Sequence, residues 1–406
     1  MRNIIRKINK KRAIVFCSAV IILFILLMIF SAMKKSQSSQ TMADRWSSDG
    51  TKYAQISIFY PDDKNLYSTS EVENIETAIN EKMDSESYKP VREGAEVWID
   101  AYSTVPFKTT ASGRSASDQS MEKAPMPEMS GEGDNEKKEF SETHDVNLVG
   151  IGGDYFEFHP LELLSGNYIY EGEFRDNRAV LDEESAWALF SSADVVGMKF
   201  YAADIEFEVA GVVRHEAQKV TSLAYPETPI IYVHSNILKV SEINDSILCY
   251  EAVIPDPVEN YAKNIILEYY GVNMMSSTDD AVKKGEENLP CIIIDNTNRY
   301  SSPKLWQNIK DFGKNLVISK QIVFPYWENA ARIMTARLSL VFLTIVIIGT
   351  AVIIMVLIFI GKLYLNRTWH LKDYIEKLMD KYTYKKKMSD YINVNEDDEG
   401  KEKKYE

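Results

Sequence analysis

The chain has 406 residues, with 46 Lys and Arg against 60 Asp and Glu and a net charge of −14. That balance speaks against a nucleic-acid binder, because phosphates are neutralised by Lys and Arg. The length is ample for one or two packed cores, and three cysteines decide little.

Arg2, Arg6, Lys7, Lys10, Lys11 and Arg12 precede an uncharged apolar run from Ala13 to Met33. At ~1.5 Å per residue, ~20 residues cross a ~30 Å hydrocarbon core, so the run is long enough to span a membrane. A cleaved signal peptide is the alternative, with Ser31 and Ala32 as small residues near its end. Signal h-regions are usually ~7–15 residues, which favours an anchor. The six cations before the run, against Lys34 and Lys35 after it, place residues 1–12 on the cytoplasmic side.

Tyr53 to Tyr60 reads as a strand closed by Pro61, and Ser70 with Glu73 forms a capping box for a helix through about Lys82. Ala95 to Tyr102 is a further strand. Thr110 to Thr143 is rich in Ser, Glu, Gly, Met and Pro and reads as a disordered insertion. An apolar run, Val146 to Ile151, is brought to a turn at Gly152 and Gly153. An aromatic and apolar segment from Tyr155 to Leu164 follows, punctuated by Ser165-Gly166. Arg178 to Leu181 is a brief strand, and Asp182 caps a helix whose Ala186, Leu189 and Phe190 share one face. Gly197 breaks the chain. Ile205, Phe207 and Val209 then alternate with Glu206 and Glu208 as a strand with one wet face should, and Gly211-Val212-Val213 completes it.

Pro229 to His234 and Ile247 to Ile254 are strands, Val258 to Tyr270 is an amphipathic helix stopped by Gly271, and Cys291 to Asp295 is a last buried strand. From Asp311 the pattern turns helical through Phe324 and Trp327 to Leu338, running straight into a second uncharged span, Leu338 to Gly361. Lys362, Arg367, Lys372 and Lys377 mark its far side as cytoplasmic. The expected organisation is a cytoplasmic N-terminus (1–12), a transmembrane helix (13–33), an extracytoplasmic domain (34–337), a second transmembrane helix (338–361) and a cytoplasmic tail (362–406). The first 33 residues carry +6 and residues 338–406 carry +1, which leaves −21 on the domain between them. So acidic a domain also argues against docking on anionic lipid. In the tail, Leu371, Ile375, Leu378 and Tyr382 form one stripe of an amphipathic helix among lysines. It is read either as lying on anionic headgroups or as docking on a cytoplasmic partner.

No chemistry-bearing constellation stands out, so catalytic, metal-binding and cofactor-binding residues are all expected to be none, and the chain is not expected to be an enzyme. His144, His159, His215 and His234 follow no metal-ligand spacing, and no HExxH is present. Gly150-Ile151-Gly152-Gly153 lacks the Lys-Ser/Thr of a phosphate loop and is read as a tight turn. No GxSxG elbow occurs. Asp182-Glu183-Glu184 is read as a helix N-terminus that favours negative charge. Cys17 lies inside the first span; Cys249 and Cys291 are either bonded to each other or two buried free thiols.

The stretch from Val146 to Arg214 resembles the extracytoplasmic core domain of the MacB-like permeases, the FtsX-type half of a group of ABC transport systems. The resemblance is carried by Gly150-Ile151 with Asp154-Tyr155-Phe156, by Leu163-Leu164-Ser165-Gly166, and by Ala179-Val180-Leu181 with Ala186 and Leu189-Phe190. Asp194-Val195-Val196-Gly197 and Phe207 to Val213 complete it. It implies an α+β extracytoplasmic domain between two transmembrane helices in the cell membrane. Family permeases carry one span before this domain and three after it, so this chain reads as lacking the last two. The implied function is a permease-like subunit of an ABC transport system, whose outer domain binds a substrate or partner and passes conformational change across the membrane. Its partners would be the lipid bilayer and an ABC ATPase or full permease, in a homo- or hetero-oligomer, with no nucleic acid. The alternative is a free-standing binding or scaffold protein anchored twice, with no ATPase.

Overall fold

Strand alternation explains how the core is built. In Tyr53–Phe59 (β1), Ala54, Ile56 and Ile58 point to one side, while Gln55, Ser57 and Phe59 point to the other. The apolar side packs under two helices, Thr69–Ser85 (α3) and Tyr261–Tyr269 (α8), through Val72, Ile75 and Ile79 and through Ala262, Ile265 and Ile266. The computed structural model describes residues 10–46, 52–61, 67–86, 88, 96–113, 142–214, 220–272, 284–311, 322–365, 375–376 and 378–388. It divides into two units: Met1–Leu27 with Thr344–Glu406, and Met28–Leu343.

Two helices carry the apolar runs, Lys10–Lys35 (α1) and Tyr326–Leu365 (α10), and both are long and apolar enough to cross a membrane. Their apolar side chains point outward, Ile14 and Leu357 among them, as lipid-facing residues would. Residues 378–388 of the tail are helical, with Leu378 and Tyr382 exposed, and Ile375 is exposed and helical as well; Leu371 lies outside the described residues.

In the larger unit a 3₁₀ turn (Ser38–Gln40) and a short helix, Met42–Trp46 (α2), lead to β1 and α3. The strands Ile99–Thr104 (β2), Phe107–Gly113 (β3) and His144–Gly153 (β4) come next, then a one-turn helix, Tyr155–Phe158 (α4). Glu162–Gly166 (β5), Arg178–Asp182 (β6), the helix Glu183–Phe190 (α5), Lys199–Ala202 (β7) and Ile205–Arg214 (β8) follow. The chain continues through Thr221–Ala224 (α6), Ile230–His234 (β9), Ser235–Val240 (α7) and Ile247–Pro255 (β10), then α8. Ile292–Asp295 (β11) and Ser302–Lys310 (α9) precede α10.

One sheet carries all these strands, in the order β11-β1-β10-β2-β4-β3-β7-β8-β6-β9, with β5 beside β8. Because β9 also pairs with β4, in parallel, the ladder closes on itself through β4, β3, β7, β8, β6 and β9. Closure removes exposed edges. Phe200, Phe207, Val209, Leu148 and Leu181 pack together beside this ring. The open part, β11-β1-β10-β2, is antiparallel throughout, and β10 is buried at every position because both of its faces are covered. This is the mixed helix and strand architecture expected.

Local expectations hold where a side chain decides them. Asp182 caps α5, its Oδ1 accepting from Ser185 N at 2.7 Å, and Phe207 and Val209 are buried. Glu206 and Glu208 are half-buried rather than fully wet, the first paired with Lys199 at 2.7 Å and the second with Arg175 at 3.3 Å.

Other expectations are corrected. The Ser70–Glu73 capping box does not form. Ser68 stands at the N-cap, and Asp245 reaches across to accept from Thr69 N at 3.2 Å and Thr69 Oγ1 at 2.6 Å. The expected insertion is shorter at its start, since Thr110 to Gly113 belong to β3; residues 114–141 lie outside the described residues. Gly150 to Gly153 do not turn but continue β4, with Gly152 and Gly153 paired to Tyr102 and Ala101. A Cβ on Gly152 would lie 2.2 Å from the Tyr102 ring, so glycine is needed for close approach. The helix leading to the second span starts only at Tyr326, because Pro325 holds Phe324 out of the α region. Residues 312–321 of the same expectation lie outside the described residues. Cys249 and Cys291 are both buried thiols, with no disulfide between them.

Candidate transmission site between the stalks and the sheet

The face of β1 and β10 opposite α3 and α8 is polar yet closed to solvent. Gln55 and Ser57 on β1 are fully buried, and Glu251 on β10 is 2 % exposed. Two segments cover them: the stalk leaving α1, residues 36–46, and the first turns of α10. Ser57 Oγ donates to Glu251 Oε1 at 2.7 Å, and Gln55 Nε2 donates to the same oxygen at 3.2 Å. Gln55 also fastens the first stalk. Its Nε2 donates to Ser39 O at 2.6 Å and its Oε1 accepts from Met42 N at 2.9 Å.

His159, which follows α4, brings the other oxygen into the network, with Nε2 lying 2.5 Å from Glu251 Oε2. The imidazole stacks on the Trp327 indole at a centroid distance of 4.4 Å and 27° between planes. Trp327 and Phe324 both pack on Phe59, with centroids at 5.6 and 5.2 Å. Gln40 Nε2 donates to Trp327 O at 3.5 Å, so the two stalks also touch each other.

A second chain of contacts runs outward from Ser57. Asn296, just past β11, donates through Nδ2 to Ser57 Oγ at 2.8 Å and accepts at Oδ1 from Arg299 at 2.9 Å. The Arg299 guanidinium then grips Glu328 of α10 through two nitrogens, at 2.7 and 3.0 Å. Glu328 is fully buried, and Arg332 one turn later adds a third contact at 2.9 Å while stacking over Phe324 at 3.6 Å. Burial works against the Arg299 charge, but Glu328 outweighs it and holds the guanidinium pKa above its ordinary value. Two-pronged pairing of this kind fixes orientation as well as distance.

The N-terminal stalk also reaches the closed ring side: Arg45 donates to Glu157 O at 2.8 Å. Both stalks, the open sheet and the α4 turn therefore share one buried polar network. Its bonds tie the first turns of α10 to the strands β1 and β10.

The histidines singled out in the sequence are not brought together. His144 opens β4, His234 closes β9 with its pKa lowered by burial, and His215 lies outside the described residues. Among the described residues no group of three or more His, Cys, Asp or Glu could hold a metal ion. Sequence reasoning missed Gln55, Ser57, Glu251, Arg299 and Glu328. The available signal was the acidic Glu328 and basic Arg332 at i, i+4 spacing just ahead of the second apolar run.

Comparison with curated protein sequences finds no match. Among solved structures, the periplasmic region of MacB from Actinobacillus actinomycetemcomitans is similar at 15 % identity and a TM-score of 0.37, over 63 % of this chain and 92 % of that one. The extracellular domain of the noncanonic ABC-type transporter YknZ from Gram-positive bacteria is similar at 16 % identity and a TM-score of 0.31, over 59 % of this chain and 99 % of that one. The family model of the MacB-like periplasmic core domain matches residues 17–265. That match takes in both the closed ring and β10, and the chain belongs to the family of proteins with a MacB-like periplasmic core domain, found in ABC-transporter permease-type proteins.

Proposed function

We propose that the chain is a membrane-anchored, permease-like subunit of an ABC transport system whose outer domain passes conformational change between a bound substrate or partner and the membrane helices. The observation that carries this reading is the buried network from Glu251 and Ser57 through Asn296 and Arg299 to Glu328 on the helix that continues into the second span. A tilt of that helix has to move the sheet or break charge-assisted bonds around the buried Glu328, and the second course is costly. In this reading residues 13–33 and 338–361 cross the bilayer, 34–337 lie outside, and both termini are cytoplasmic, as the flanking cations favour. The partner is an ABC ATPase, directly or through a full permease, and the tail helix bearing Ile375, Leu378 and Tyr382 docks on it.

Gentle purification of the tagged chain from membranes tests the proposal. A copurifying ATPase is expected, and it should be lost when Leu371, Ile375 and Leu378 are together changed to Ser while membrane insertion is intact. If no ATPase accompanies the unaltered chain, the transporter reading fails.

A further inference from the structure

A cavity of about 260 Å³ lies between the sheet and the segment entering α10, next to the polar network, since its wall residues Tyr155 and Phe324 touch His159 and Phe59. Its walls include Val149, Ile230 and Tyr232 from the sheet, and Val323 and Tyr326 from the stalk. The volume is near the lower end of the ~300–1,000 Å³ usual for small-molecule sites, and aromatic walls with few polar groups are typical of them.

One lining residue points to a ligand. Asn147 is 5 % exposed, its Nδ2 donates to Thr228 O at 3.2 Å, and its backbone N–H donates to Pro229 O at 2.8 Å. Its Oδ1 is buried with no hydrogen-bond partner. Buried side-chain acceptors are nearly always paired, and an unpaired one in an apolar cavity favours any occupant that brings a donor. The remaining wall is mostly apolar, interrupted by Ser103, Thr104, Asn329 and the tyrosine hydroxyls, and the cavity has room for little more than a fused pair of rings.

We infer that this cavity is a binding site for a small, flat, apolar molecule carrying one hydrogen-bond donor, which Asn147 Oδ1 accepts. The occupant lies against Val323 and Tyr326, at the start of the helix that continues into the second span. The site stands whether or not the chain works with an ATPase.

The test uses the full chain in lipid nanodiscs, with 1-naphthol as probe and its methyl ether, 1-methoxynaphthalene, as the matched molecule without a donor. Calorimetric titration, with protein-free nanodiscs subtracted, should show saturable binding of 1-naphthol and about tenfold weaker binding of the ether, as loss of one well-made hydrogen bond implies. Asn147→Leu should abolish that preference. Val323 is exposed at the cavity wall, so Val323→Trp should block binding of both probes without disturbing the fold, and it decides the matter if Asn147→Leu fails to fold. Equal affinities for the two probes in the unaltered chain, or undiminished binding in Val323→Trp, would overturn the inference. So would the absence of saturable binding beyond lipid partitioning.

Discussion

Removal of the Glu328 carboxylate is the sharpest test of the stalk network. Glu328 is fully buried and Arg299 is only 11 % exposed, so Glu328→Ala leaves a largely buried guanidinium without its counter-charge. Breaking a buried pair by deleting one partner costs ~3–5 kcal/mol, most of it the stranded charge. At about 2 °C per kcal/mol for a domain of this size, the thermal midpoint should fall by roughly 6–10 °C. The full chain in nanodiscs, melted with circular dichroism as the readout, supplies the number. With the other five tryptophans changed to Phe, Trp327 fluorescence reports locally, because the indole lies one residue from Glu328 and stacks on His159. Arg332→Ala is the control. That side chain is 44 % exposed, so its ion pair and its stacking on Phe324 are together worth about 1 kcal/mol. The double change Arg299→Met with Glu328→Leu removes both charges and should recover most of the loss. If Glu328→Ala is no worse than Arg332→Ala, the pair does not hold the stalk and the coupling argument is refuted.

Phe207→Ala should cost ~3–5 kcal/mol as a buried aromatic, whereas Glu208→Ala should stay within about 0.5 kcal/mol; equal thermal shifts would mean the β8 register is wrong. Asp100 should make stability depend on pH. Burial, then the charge of Glu76, pushes its carboxyl well above the usual range, so between roughly pH 4 and that raised value the folded chain keeps a proton the unfolded chain has released. Stability therefore falls as pH rises through this window, and Asp100→Asn should flatten the decline; parallel melting curves from pH 4 to 8 would contradict this. Gly152→Ala should cost ~1–3 kcal/mol by driving a Cβ into the Tyr102 ring, and Tyr102→Leu in the same chain should return most of it.

What the sequence made legible was whatever a local pattern determines. Alternation in Ile205 to Val209 found the buried side of β8, and an Asp ahead of an apolar helix face found the cap of α5. The two apolar runs needed only their length and their lack of charge. What escaped was decided by distant partners. Gln55 and Ser57 alternate with isoleucines, as solvent-facing residues of an edge strand do, and only the arrival of residues 36–46 and 322–332 buries them. The cap of α3 comes from Asp245, which no local window contains. Gly150 to Gly153 look like a turn because glycine is commonest there; here Gly152 is required by the Tyr102 ring on a neighbouring strand, a contact made across the sheet.

The burial of this polar face also bears on why the coupling reading is preferred to that of a passive anchor. Replacing a buried ion pair by apolar side chains of similar volume is often neutral or stabilising, so Arg299 and Glu328 are not needed merely to attach a helix to a sheet. Leucines would attach it as well. They would also tolerate sliding and rotation, since apolar contact has no preferred direction. The network tolerates neither. Two guanidinium nitrogens on one carboxylate set the rotation of α10, and Asn296 passes that setting to Ser57 and so to the Glu251 carboxylate in the middle of β10. Glu251 also faces His159, next to the α4 turn that Arg45 of the other stalk grips. Orientation fixed at this cost is what favours the proposed coupling over a passive anchor. If the proposed ATPase copurifies, and the double change Arg299→Met with Glu328→Leu restores stability but leaves that ATPase uncoupled from the outer domain, stability and transmission are separated in a single chain.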